Sequence, residues 1–157
     1  MVQRATGFEA RLVDGARDAA ALCSEVWLSG QPFGGQLEGA VLEAAVQADS
    51  GMYLLFLTDD VPHEDFLHVH LLSAEGDLLD SASLGYPYAT GTFSLLELEP
   101  PDRIRFGFFG ETDWIVELLP RPELCLPLIA EPRGVRRALR LRRHFRIHGD
   151  PRRAGRS

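Results

Sequence analysis

A chain of 157 residues, 45% apolar and 25% charged, is long enough to bury roughly two-thirds of the surface its unfolded form exposes, and its composition is that of a globular domain, not a disordered one. Its longest apolar runs are a few residues, far short of the roughly twenty that cross a bilayer as a helix, and MVQRATGFEARLVDG carries no apolar signal core, so a cytoplasmic location is expected. The net charge of −7 conceals a segregation: residues 1–120 hold five arginines against twenty acidic residues, and residues 121–157 hold eleven against three.

The chain has sixteen arginines but neither lysine nor asparagine, a bacterial-like bias of GC-rich coding, so the placement of the arginines is more informative than their number. Cys23 and Cys125 stand far apart and outside any ligand spacing, which suits free, buried thiols.

In chain order, the first third is the least regular. FEARLVD, from Phe8, suits a short strand. Asp14 or Asp18 can cap a helix over ARDAAALCSEVWL, whose Ala19, Leu22, Cys23, Val26 and Trp27 recur at three and four, although Leu22–Leu28 also suits a strand. Gly30–Gly35, GQPFGG, is a loop by its glycines and proline. In QLEGAVLEAAVQ the alternation of Ala40, Leu42, Ala44 and Val46 favours a strand, while Leu37, Val41, Ala44 and Ala48 also fit a helix. ADSG then turns into the strand MYLLFLT.

From residue 58 the pattern is clearer. TDDVPHED is a polar loop. Phe66–Leu84 forms a hairpin, with Leu67, Val69 and Leu71 on one face, Phe66, His68, His70 and Leu72 on the other, and Gly76 supplying positive φ in the turn. GYPYATG is a loop. The strands TFSLLEL, RIRFGFF and WIVELL follow, separated by EPPDR and GETD, with Ile104, Phe106 and Phe108 on one face and Trp114, Val116 and Leu118 on another. ALRLRRHFRIH alternates Leu139, Leu141, Phe145 and Ile147, interrupted by Arg143, against Arg140, Arg142, His144, Arg146 and His148, which predicts a further strand. GDPRRAGRS has no apolar anchor and is expected to be frayed. Strands at this spacing without intervening helices predict a mainly β, single-domain antiparallel β-sandwich or barrel over residues 1–148. At most one or two short helices are expected in the N-terminal third, and a disordered Arg-rich tail over 149–157. A two-layer sandwich of about seven to nine strands fits best.

Motifs for phosphate cradles, dinucleotides and serine-nucleophile elbows are missing, and Schiff-base chemistry has no lysine to use. The many carboxylates, Asp59-Asp60 and Glu64-Asp65 among them, suit a solvated acidic surface. Two candidate sites stand out. His68 and His70, at i and i+2 on a strand, point the same way, and a His set with a carboxylate such as Glu75 suits zinc, iron or nickel. HVHLLSAE resembles the first half of a cupin metal motif, HxH followed by Glu, which implies a β-barrel and a metal-dependent activity on a small molecule; the motif's downstream PxG with its ligand His has no counterpart here. Without a third ligand, His68 and His70 are the half-polar outer face of an antiparallel strand.

The second candidate is the basic face of Arg136, Arg140, Arg142 and Arg146, continued by Arg152, Arg153 and Arg156. It suits nucleic-acid phosphates, or else cross-strand pairing with Glu97, Glu99 or Glu117. The strongly acidic body disfavours nucleic acid, and the empty motif inventory points to a non-enzymatic binding or interaction domain without a cofactor, associating with another protein or with itself and not with a membrane.

Overall fold

The computed structural model describes residues 2–13, 22–60, 65–85, 91–110, 112–124, 131–137 and 142–151. Among them there is no helix. The strands are β1 (Gln3–Arg4), β2 (Phe8–Leu12), β3 (Cys23–Leu28), β4 (Gln31–Glu38), β5 (Val41–Gln47), β6 (Tyr53–Thr58), β7 (Leu67–Leu72), β8 (Leu78–Leu84), β9 (Ser94–Glu99), β10 (Arg103–Gly107), β11 (Asp113–Leu124), β12 (Val135–Arg137) and β13 (Arg142–His148). They form three open antiparallel sheets: a central one in the order β1-β5-β6-β7-β8-β12, a second in the order β13-β11-β10-β9, and a third in the order β2-β3-β4. The mainly β, sandwich-like architecture expected from strand spacing is present, with no closed barrel among the described residues.

The central sheet is covered on both faces, so the layers number three and not two. On one face Leu54, Phe56, Leu67, Val69, Leu71 and Leu84 pack against Ile104, Phe106, Trp114, Val116, Phe145 and Ile147 of the four-stranded sheet. On the other, Leu55, Leu57 and Leu72 pack against Val26 and Leu37 of the three-stranded sheet. This double burial explains the unbroken apolar run of β6: both sides of Leu54, Leu55, Phe56 and Leu57 face a core, and each is at most 1% exposed. Leu67, Val69, Leu71, Ile104, Phe106 and Phe108 are buried together, as their alternation predicts. The β7–β8 hairpin has its predicted turn, with Gly76 at φ +96°.

The first third differs from expectation in specific ways. Residues 23–28 form β3 and not the C-terminal half of a helix, because flanking strands β2 and β4 satisfy their backbone groups and place Val26 in the core; residues 14–21, including both proposed caps, lie outside the described residues. Of the expected GQPFGG loop, Gly30 lies in a turn and Gln31 to Gly35 begin β4. The reversal occurs at Ser29-Gly30, whose φ values of +51° and +80° fit the two-residue hairpin geometry that suits strand twist. Pro32 is tolerated because β4 is an edge strand, where a missing N–H disrupts one ladder at most. In β5 a register shift between Leu42 and Ala44 breaks the predicted alternation, so that Leu42 joins one core while Ala44 and Val46 join the other.

At the other end, β11 runs on past Leu119 to Leu124, and β12 adds a sixth strand to the central sheet that no apolar pattern announced. The expected tail begins with seated residues: the Asp150 N–H donates to Thr112 Oγ1 at 3.3 Å and Pro151 is buried. Residues 138–141 and 152–157 lie outside the described residues, as do the 86–90 part of the GYPYATG loop and Cys125. Cys23 is half-buried with a free thiol. No helix among the described residues is long and apolar enough to cross a membrane.

Candidate functional site

His68 and His70 are not an outer face. They are 6% and 4% exposed, because the three-stranded sheet lies over the face of β7 that carries them, with β2 over β5 and β4 over β7. A buried imidazole needs partners at both nitrogens, and each has them. His68 Nε2 lies 2.8 Å from Asp59 Oδ1, and its Nδ1 lies 2.7 Å from Ser83 Oγ on the facing strand β8. His70 Nε2 lies 2.9 Å from the Glu38 main-chain oxygen, and its Nδ1 lies 2.7 Å from Ser81 Oγ. A carboxylate and a carbonyl only accept, so in the neutral rings both Nε2 atoms carry the proton and both serine hydroxyls donate to Nδ1. The rings stack at 6.3 Å with 12° between their planes.

Local sequence explains how the partners reach these positions. The hairpin register pairs His68 with Ser83 and His70 with Ser81. Gly39, at φ +122°, turns the chain just after Glu38; a Cβ there would lie 2.5 Å from the Leu57 Cβ. Asp65 Oδ1 accepts from the Asp59 and Asp60 N–H groups at 3.0 and 3.1 Å and so holds the backbone of Asp59, whose side chain meets His68. Burial holds the Asp65 carboxyl above its ordinary pKa, against the lowering effect of those two hydrogen bonds. Glu38 Oε2 adds a negative group 3.5 Å from His68 Nδ1.

This arrangement does not suit the metal centre that the HxH spacing suggests. All four ring nitrogens are directed at protein groups, and Glu75 lies exposed in the β7–β8 turn. Among the described residues no three His, Cys, Asp or Glu side chains are grouped to share a metal ion.

The basic residues divide between two places. Arg136 is exposed on β12 directly opposite Ser83, on the histidine side of the central sheet. Arg142 is exposed and Arg146 partly so on β13, while Arg140 lies outside the described residues. Arg146 lies opposite Glu117 in the β11–β13 register and contacts Glu123, which also receives the buried Arg143 at 2.9 Å. Glu117, one of the three glutamates expected to face these arginines, does stand opposite Arg146, and its carboxylate accepts from Arg103 and from His148 Nε2 at 3.4 and 3.3 Å. Glu97 and Glu99 face Arg105 of β10 and not β13; Arg105 also lies 3.3 Å from Asp113. The outer surface of the four-stranded sheet therefore alternates by strand: β9 acidic, β10 basic, β11 acidic, β13 basic. Hydrogen bonds from Arg146 and Arg143 hold the Glu123 carboxyl below its ordinary range, and His148 with Arg103 does the same for Glu117.

Where the central and four-stranded sheets meet, Asp80 and Arg137 form an ion pair at 2.9 Å with side chains 3% and 7% exposed. Asp80 Oδ2 also accepts from the His144 N–H at 2.8 Å, Arg137 donates to the Phe145 carbonyl and its guanidinium lies over the Phe145 ring. Glu131 Oε1 lies 2.7 Å from Arg137 Nε, off the N–H direction, so that contact is Coulombic. This buried cluster ties β8 and β12 to β13.

Asp59, read in the sequence as part of a solvated acidic surface, is instead largely covered against His68; Glu38, Ser81 and Ser83 were not singled out, although Ser81 and Ser83 repeat at i, i+2 on one arm of a hairpin whose other arm repeats histidine at i, i+2. Comparison with protein-family models, with curated proteins and with solved structures finds no match for this chain.

Proposed function

We infer that the protein is a cytoplasmic interaction domain that binds another protein by adding an extended basic segment of that partner to the open edge of β9. The supporting observation is the charge order of the four-stranded sheet, which ends on an acidic strand that, among the described residues, is hydrogen-bonded on one side alone. An edge strand presents unpaired N–H and C=O groups, and strand addition uses them for affinity while side chains set selectivity. Glu97 and Glu99 face a single cationic strand, so an arginine-bearing strand on their other side extends the alternation. The extra residue at position 96, where β9 bulges against β10, limits indiscriminate pairing along the edge.

The test is a titration of the isotopically labelled full chain with a synthetic seven-residue peptide alternating arginine and valine, followed by amide NMR. Shift changes and slowed amide exchange are expected at residues 94–99, weakening with salt and lost in Glu97→Gln with Glu99→Gln. Changes centred elsewhere, or undiminished binding by the double variant, would refute the assignment. Sedimentation without peptide separates strand addition to a partner from self-association.

A further inference from the structure

We propose that Ser83, His68 and Asp59 form a hydrolytic site for small carboxylic esters at the rim of the three-stranded sheet. A serine becomes nucleophilic when a base within hydrogen-bond reach takes its proton and a third group orients that base. Here Ser83 Oγ lies 2.7 Å from His68 Nδ1, and Asp59 Oδ1 lies 2.8 Å from His68 Nε2. The carboxylate requires the Nε2–H tautomer, which leaves Nδ1 free to accept. The ring nitrogens exchange roles relative to the familiar serine-protease arrangement, but such a constellation is defined by geometry and role.

Access and charge are both provided. The cover over the central sheet reaches β7, so His68 is buried while Ser83, one strand farther out, is partly exposed. Arg136 is directly opposite Ser83 on the same face and exposed, a cation within side-chain reach of an oxyanion formed there. Glu38 Oε2, 3.5 Å from Nδ1, faces the positive charge that arises when Nδ1 takes the proton.

The reaction balances with water alone. Ser83 Oγ bonds to the ester carbonyl carbon as its proton passes to Nδ1. The carbon–alkoxide bond breaks, and the alcohol leaves with that proton. Water then attacks the acyl-serine, giving its proton to Nδ1; the bond to Oγ breaks, the acid departs and Oγ recovers the proton.

The molecule contains its own control. Ser81 faces His70 in the same geometry, but the orienting group there is the Glu38 main-chain carbonyl and not a carboxylate. The test treats the full-length protein with a fluorophosphonate probe, maps the adduct by mass spectrometry and measures p-nitrophenyl acetate hydrolysis. The expected result is an adduct on Ser83 and not on Ser81, with hydrolysis lost in Ser83→Ala and retained in Ser81→Ala. Asp59→Asn, which can present an N–H to Nε2 and so reverse the tautomer, is expected to slow labelling on the order of 10²- to 10⁴-fold. Ring ¹⁵N shifts should show Nδ1 protonated in that variant, and an unchanged melting profile separates the positioning role of Asp59 from a structural one. No adduct on Ser83 in the wild type, equal labelling of Ser81 and Ser83, or hydrolysis unchanged in Ser83→Ala would overturn the proposal.

Discussion

His68 and His70 illustrate how the meaning of a residue depends on what covers it. On an uncovered strand their replacement would cost little; between two sheets their removal leaves the Ser81 and Ser83 hydroxyls, the Asp59 carboxylate and the Glu38 carbonyl without an imidazole partner. His68→Ala with His70→Ala is therefore expected to destabilise the fold by about 2–4 kcal/mol, read from the shift in urea midpoint at constant slope. A shift below about half a kcal/mol would place these residues in the class of surface substitutions. Phe106 is fully buried with its ring 5.3 Å from that of Phe56, so Phe106→Ala should cost about 3–5 kcal/mol in the same assay. Asp80→Ala leaves the Arg137 guanidinium and the His144 N–H inside without a carboxylate, a loss of about 3–5 kcal/mol that thermal melting should reveal.

Among the elements, β12 and β13 are short but tie two sheets together. Removing residues 134–157 deletes both, including the buried Phe145 and Ile147 and the Arg137 that holds Asp80, and leaves the outer edges of β8 and β11 open. That fragment is expected to aggregate or remain unfolded; a soluble 1–133 fragment with a cooperative melt would show that these strands are dispensable. On β11, Glu117 and Glu123 bind arginine and histidine in the folded state, which lowers their pKa below the ordinary 4.5. A depressed carboxylate contributes stability above its unfolded pKa and loses it as pH falls through the folded value. The melting temperature should therefore fall more steeply below about pH 4.5 in the wild type than in Glu123→Gln, with the two curves converging in acid.

At the scale of the whole molecule, part of the charge segregation along the chain is resolved within the fold. The arginine-rich C-terminal part contributes Arg143 and Arg146 to Glu123, and Arg137 to Asp80 and Glu131. A basic arm for nucleic acid would leave these guanidinium groups facing solvent. Because the ladder on the four-stranded sheet is exposed, raising salt from 0.05 to 0.5 M is expected to lower the melting temperature by a few degrees, as screening weakens the outer pairs and leaves the buried Asp80–Arg137 pair largely intact. An increase would indicate that repulsion among the acidic residues dominates.

The alternation of Leu67, Val69 and Leu71, of Ile104 and Phe106, and of Trp114, Val116 and Leu118 sufficed to determine strands and their inward faces, because side-chain direction along a strand is a local property with period two. The hairpin turn was also local, but it did not by itself set the pairing of His68 with Ser83: Leu72 faces Leu78 beside the turn, and a bulge before the Leu71–Asp80 pair moves the register by one residue and brings the serines opposite the histidines. What lay on the other side of those residues was not local. Whether the histidine face met water or a second sheet, whether Pro32 stood in a loop or an edge strand, and where Asp59 pointed all depended on packing between segments distant in sequence. Tertiary contact alone decided them, because burial belongs to the surroundings of a side chain and no residue carries its surroundings in its own letter.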